Sequence, residues 1–177
     1  MVAMTGASGS AYGVRLLEAL PGEKMLVMSE TAKAVLRHET GRSVAEVEAL
    51  ADEAFSDSDL FAPISSGSFR HDGMFVAPCS ESSLAKFSHG IADTLISRAA
   101  SVCLKEGMRL VLVPRETPKS AIMLENELRL ARCGAVIADA NPGFYHGPQS
   151  AGDLVDFVVG KCLDAAGVPH SLFERWG

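Results

Sequence analysis

The sequence has little that would suit a membrane, a metal centre or an oxidising compartment. No apolar run approaches the roughly 20 residues needed to cross a bilayer, so a spanning helix is not expected. The 4 cysteines, Cys79, Cys103, Cys133 and Cys162, are scattered, without a CxxC pair or a histidine at ligand spacing. That pattern excludes the common zinc modules and predicts reduced, mostly buried thiols and no structural metal. Positive charge is not in excess either: the net charge is −6 with 21% charged residues, which argues against a broad nucleic-acid-binding face and leaves room only for a local basic pocket. No charged leader or cleavage site precedes "VAMTG", and a cytoplasmic protein is expected. Repeats and low-complexity linkers are also missing. With 177 residues, 47% of them hydrophobic, the chain is expected to form a single domain over 1–177 with a substantial core.

What is present is an alternation of short apolar runs and longer amphipathic ones. "MVAMT", "KMLVMS", "GMFVAPC", "RLVLVP" and "GAVIADA" read as buried strands. Helices are expected at Ser10 to Leu20, Glu30 to His38, Val44 to Phe55, Ser82 to Phe87, Ile91 to Lys105, Ser120 to Arg132 and Gly152 to Ala166. Strands and helices in this order predict an α/β fold, a parallel sheet with helices on both faces. Ligands of such sheets bind beyond the carboxyl ends of the strands, so the loops that follow the apolar runs hold the candidate sites.

Several of those loops are unusual. "TGASGS" after the first strand is a turn of small residues opening into a helix, a seat for a phosphate or an electron-rich ring at backbone amides and the positive end of a helix dipole. Its glycines, Gly6, Gly9 and Gly13, lack the G-x-G-x-x-G spacing of the dinucleotide fingerprint, although Glu30 after Ser29 keeps a ribose contact open. "SSGSF" (Ser65 to Phe69) and "CSESS" (Cys79 to Ser83) add hydroxyls around the same small sheet. Hydroxyls with free amides, completed by one basic residue such as Arg115, suit a mononucleotide better than a dinucleotide.

"PRETPKS" puts Arg115 and Glu116 at the mouth of an apolar strand, between Pro114 and Pro118. Lys105 closes a long helix, where it could simply complement the dipole. Lys161 shares a helical stripe with Leu154, Phe157 and Val158, as a snorkelling lysine or as a cation facing a site. "NPGFYHGPQS" carries Phe144, Tyr145 and His146 in a Pro/Gly-rich loop that is either packed down or lines a pocket. None of the 5 histidines has a spacing that suggests a metal or a catalytic triad.

Taken together, "MTGASGSAYGVRLLEAL", "SSGSFRHDGM", "APCSESSLAKFSHGIADTLISRAASVCLKEG", "LVLVPRETPKSAIMLENELRL" and "NPGFYHGPQSAGDLVDFVVGK" closely resemble the flavin prenyltransferase family, also known as UbiX or phenylacrylic acid decarboxylase-like proteins. The resemblance covers nearly the whole chain. It implies a flavodoxin-like or Rossmann-like subunit that assembles into a homo-oligomer, commonly a dodecamer, with active sites where subunits meet. It also implies a metal-independent reaction in which the dimethylallyl group of dimethylallyl monophosphate is joined to N5 and C6 of reduced FMN. The product, prenylated FMN, serves UbiD-type decarboxylases.

By the same resemblance, FMN contacts fall on Gly6, Ala7, Ser8, Ser29, Ser80, Glu81, Ser82, Ser83 and Arg115. Prenyl phosphate contacts fall on Lys105, Arg115, Tyr145 and Lys161, with Glu116 beside them. Glu39 in "RHET" matches the acidic residue near the reacting flavin edge, and Trp176 in "ERWG" matches an aromatic that reaches the site from the carboxyl tail. Ser8, Glu39, Lys105, Glu116 and Trp176 form the implied catalytic set. The chemistry asks for such groups: a departing phosphate needs cations, a developing allylic cation needs aromatic faces, and ring closure at C6 needs a proton acceptor. The sequence departs from the family pattern at Lys119 and Met123, where an apolar residue and a histidine are common, and at Leu60, where some members carry a tryptophan. Two other readings of the same residues are a flavin-dependent cysteine decarboxylase and a non-catalytic FMN-binding accessory subunit. Against the first stands Glu39 where that family has its histidine; the second leaves Lys105, Glu116, Tyr145 and Lys161 without a purpose.

Overall fold

The computed structural model describes all 177 residues. Strands β1 (Val2–Met4), β2 (Met25–Met28), β3 (Glu53–Ser56), β4 (Gly73–Cys79), β5 (Arg109–Pro114) and β6 (Val136–Ile137) form one parallel sheet. Its order is β3-β2-β1-β4-β5-β6, the doubly wound order in which the sequence of strands across the sheet reverses between β1 and β4, all of them parallel. Helices α1 (Ser10–Ala19), α2 (Glu30–Thr40), α3 (Val44–Glu48), α4 (Glu81–Ser88), α5 (Leu95–Glu106), α6 (Ala121–Arg132) and α7 (Ala151–Ala166) connect the strands. No helix is long and apolar enough to cross a membrane.

The central strands are buried on both faces, and their side chains divide by the two-residue period of the pleat. Val2, Met4, Leu26, Met28, Phe75, Val111 and Val113 join Leu16 and Leu17 of α1, Leu36 of α2 and Val158 of α7 in one core. Ala3, Val27, Val76, Leu110 and Leu112 join Leu84 of α4, Leu95 and Ala99 of α5 and Met123 of α6 in the other. The parallel sheet with helices on both faces is therefore as expected. Of the thiols, Cys79, Cys103 and Cys162 are buried; burial pushes Cys103 up to about 11 and Cys162 up to about 12.

The expected helix Val44 to Phe55 is a correction. α3 stops at Glu48, and the chain turns into β3, an edge strand that begins where the Asp52 side chain accepts a hydrogen bond from the Lys24 amide (2.7 Å). β3 is mostly exposed, so it carries none of the apolar signal by which its buried neighbours are recognised. The helix expected from Ile91 starts at Leu95, capped reciprocally by Thr94 and Ser97.

Candidate functional site

At the carboxyl ends of the strands, beside the reversal between β1 and β4, lies a cavity of about 530 Å³. Gly6, Ala7 and Ser8 reach it from the loop after β1, Ser29 from the end of β2, Ser80 to Ser83 from the start of α4, and Arg115 and Glu116 from the loop after β5. These are all of the residues that the sequence assigned to a flavin, together with one of the assigned catalytic carboxylates. Sequence reasoning missed Thr5, Thr31, Asp57, Lys86, Thr94 and Ser97 in the same wall. Asp57 follows β3 and was hidden with it; Thr5 ends β1 and was within reach of the strand-end rule.

Thr5 stitches the reversal point together. Its hydroxyl donates to the Pro78 carbonyl (2.9 Å) and accepts from the Ser80 amide (2.7 Å), tying the end of β1 to the first residue before α4. Ser80 then caps α4 by accepting from the Ser83 amide (3.2 Å), and Ser29 caps α2 by accepting from the Ala32 amide (3.1 Å). Two capped helix N-termini thus flank the cavity. Gly6 packs so closely that a Cβ there would come within 2.5 Å of Thr31 Cγ2, which itself lines the wall.

Glu39, at the last turn of α2, folds back onto the start of α1. Its carboxylate accepts from the Gly9 amide (3.0 Å) and the Ser10 amide (2.9 Å), next to Ser8. Gly9 holds the left-handed φ of 111° and offers no side-chain cap, so the glutamate of another helix takes that place. Burial works to raise the Glu39 carboxyl, but hydrogen bonds from Ser8, Ser10 and Gly9 outweigh it and hold the group below the ordinary range. It is stabilised as a carboxylate.

Asp57, Glu81, Lys86, Arg115 and Glu116 bring charge to the cavity wall. Lys86 is paired with Asp93 (2.8 Å), whereas the buried Nε of Arg115 has no partner. The Arg115 to Lys119 loop is fastened from behind: Lys119 Nζ donates to Glu127 on α6 (3.0 Å) and to Asp139 after β6. Burial works to lower the Lys119 ammonium, but its hydrogen bonds to Asp139 and Glu127 prevail and raise it.

The other assigned residues stand elsewhere in the chain. Lys105 ends α5, paired with Glu106 and packed against Gly67. The "SSGSF" loop therefore lies along α5 instead of facing the cavity, with Ser65 O accepting from Arg98 (2.9 Å) and Ser66 bonded to Ser68 (2.8 Å). Thr31, Thr94 and Ser97 supply the hydroxyls expected of it. Tyr145 and Trp176 are together, their rings meeting edge-on at 5.7 Å, while Lys161, 3.7 Å from Asp164, projects from α7 with 55% of its side chain exposed. Its stripe-mates Phe157 and Val158 are buried, so the lysine marks the edge of that stripe.

The Flavoprotein family matches residues 1–163. The chain is 47% identical to the flavin prenyltransferase UbiX of Methanothermobacter thermautotrophicus, over 99% of this chain and 94% of that protein. Among solved structures, AnUbiX (PadA1) in complex with FMN and dimethylallyl pyrophosphate superposes with a TM-score of 0.98 at 49% identity, covering 99% of this chain and 95% of that one. The dodecameric FMN-dependent UbiX-like decarboxylase of Escherichia coli O157:H7 gives 0.97 at 49% identity, with 99% and 97% covered.

Proposed function

Since the chain belongs to the flavin prenyltransferase family, we propose that it joins the dimethylallyl group of dimethylallyl monophosphate to N5 and C6 of reduced FMN. The observation that carries this reading is the cavity at the sheet reversal. It gathers backbone amides, capped helix N-termini, hydroxyls and an arginine nitrogen without a partner. That donor set fits FMN, whose phosphate asks for amides, hydroxyls and a cation and whose ring asks for a shaped wall with polar partners.

In this reading Gly6, Ala7, Ser8, Ser29, Ser80, Glu81, Ser82, Ser83 and Arg115 hold the flavin. When bound, reduced FMN supplies the nucleophilic nitrogen and carbon that accept the prenyl group. Lys105, Arg115, Tyr145 and Lys161 hold the donor phosphate, with Glu116 beside them, and the cations offset the negative charge that grows as phosphate departs. Trp176 offers an aromatic face to the positive charge on the prenyl fragment. Glu39, held ionised beside Ser8, accepts or relays the proton released at C6.

Of the donor groups, Arg115 and Glu116 line the flavin cavity, whereas Lys105, Tyr145, Lys161 and Trp176 are not in its wall; this division supports a site completed between subunits of a homo-oligomer, with the dodecamer of the Escherichia coli relative as the pattern. A UbiD-type decarboxylase is the functional partner that this product implies. The protein works as one domain over 1–177 and in the cytoplasm.

The test is direct. Purified protein is mixed anaerobically with reduced FMN and dimethylallyl monophosphate, and the extracted flavin is weighed. A flavin heavier by one dimethylallyl unit is expected; unaltered FMN at full donor occupancy would overturn the assignment.

A further inference from the structure

The segment after α7 is held down by one carboxylate. Asp164 accepts from Arg175 through both oxygens (2.7 and 3.2 Å), from His170 Nε2 (3.1 Å), and lies 3.7 Å from Lys161 Nζ. Arg175 also lies over the Phe173 ring at 5.7 Å from its centre. The path of the segment is prepared on the helix side: a Cβ at Gly160 would come within 2.4 Å of Phe173 and 2.6 Å of His170, so only glycine lets the segment lie flat on α7. Phe173 packs on Phe157 at 5.0 Å, Phe157 stacks on His146 at 5.0 Å, and Trp176 closes the row against Tyr145. Three groups read above as donor contacts, Tyr145, Lys161 and Trp176, are therefore ordered around a residue that touches none of the reacting atoms.

We infer that Asp164 is a positioning residue: by clasping Arg175 and His170 it fixes the 170–176 segment on the Tyr145 loop and sets Tyr145, Trp176 and Lys161 for the donor phosphate and its prenyl chain. This rests on the flavin prenyltransferase reading for its substrate, but not for the clasp itself. Bidentate pairing of a carboxylate with arginine is directional, which is what locating a short segment requires. Hydrogen bonds from Arg175, above all, hold the Asp164 carboxyl below the ordinary range, in the ionised form the clasp needs.

The test uses Asp164→Ala, and Arg175→Ala as a second variant that leaves the buried His170 its partner. Trp176 is the single tryptophan of the chain, so its fluorescence anisotropy and quenching by acrylamide report the segment without any turnover. Both variants are expected to lower the anisotropy and raise the KM for dimethylallyl monophosphate by roughly tenfold, about the loss of one charge-assisted contact. FMN affinity stays unchanged, because the flavin cavity lies elsewhere, and Asp164→Glu restores part of the donor KM. Unaltered anisotropy in both variants would overturn the clasp, and lowered anisotropy with an unaltered donor KM would overturn its role in positioning. If the wild-type protein makes no prenylated flavin while the variants still free Trp176, the clasp stands and the functional reading falls.

Discussion

Glu39 and Ser8 are assigned to one task by the sequence, and the structure adds how they are held. The glutamate reaches amides 30 positions away in the chain, an interaction that no local pattern encodes. Because its folded pKa is depressed, its contribution to stability is complete above the usual glutamate range and is lost as pH falls through the lower folded value. Glu39→Gln keeps an acceptor oxygen for α1 but loses the charge, so FMN uptake should persist while formation of the fourth ring slows by about 100-fold; stopped-flow absorbance with mass analysis measures both. A rate equal to wild type would assign the proton to the departing phosphate. Lys119 is the second residue whose meaning is spatial. The sequence marks it only as a departure from the family pattern, whereas in the structure it ties the loop of Arg115 and Glu116 to α6 and to the chain after β6. Lys119→Met leaves Glu127, 8% exposed, and the partly exposed Asp139 without their cation, and should cost about 1 to 2 kcal/mol in urea unfolding. Replacing Glu127, the buried member, by an apolar residue in the same chain should return part of it, because a buried ion stabilises little over good packing.

Among the elements, the strands buried on both faces were legible because each is a short apolar run between polar loops, and the strand-end rule then pointed to loops that line the cavity. β3 escaped because an exposed edge strand has no such run: Glu53, Ala54 and Ser56 face water, and the preceding helical pattern runs into it. Its loss hid Asp57 and left the order of strands undetermined. The loop at Ser65 to Phe69 was misplaced for a related reason, since hydroxyl content does not say which end of the sheet a loop occupies. The reversal between β1 and β4 is the element-level device that makes the cavity, and Thr5 holds it. Thr5→Val keeps the shape but leaves the half-buried Ser80 amide without its 2.7 Å partner, at a cost of about 1 kcal/mol. FMN binding should weaken along with stability, since Ser80 caps the helix that faces the cavity; titration of FMN against the variant measures it. Intact affinity would show that α4 is anchored by its apolar face alone.

For the molecule as a whole, the separation of the flavin cavity from Lys105, Tyr145, Lys161 and Trp176 has a consequence that can be measured. Subunits carrying Ser8→Ala and subunits carrying Lys161→Met, each weak alone, should recover activity when assembled together, since random assortment restores about a quarter of composite sites. No recovery would mean that both groups act within one chain. The cavity wall of amides and hydroxyls, with Lys86 already paired and Arg115 recessed, has a further consequence outside it. A protein of net charge −6 repels anions at a distance, so its anionic ligands arrive against the overall field and are held by contacts within a few ångströms. Ionic strength then acts in an unusual direction: added salt screens the repulsion and should leave FMN association unchanged or faster, and the flavin should stay bound through high-salt washing.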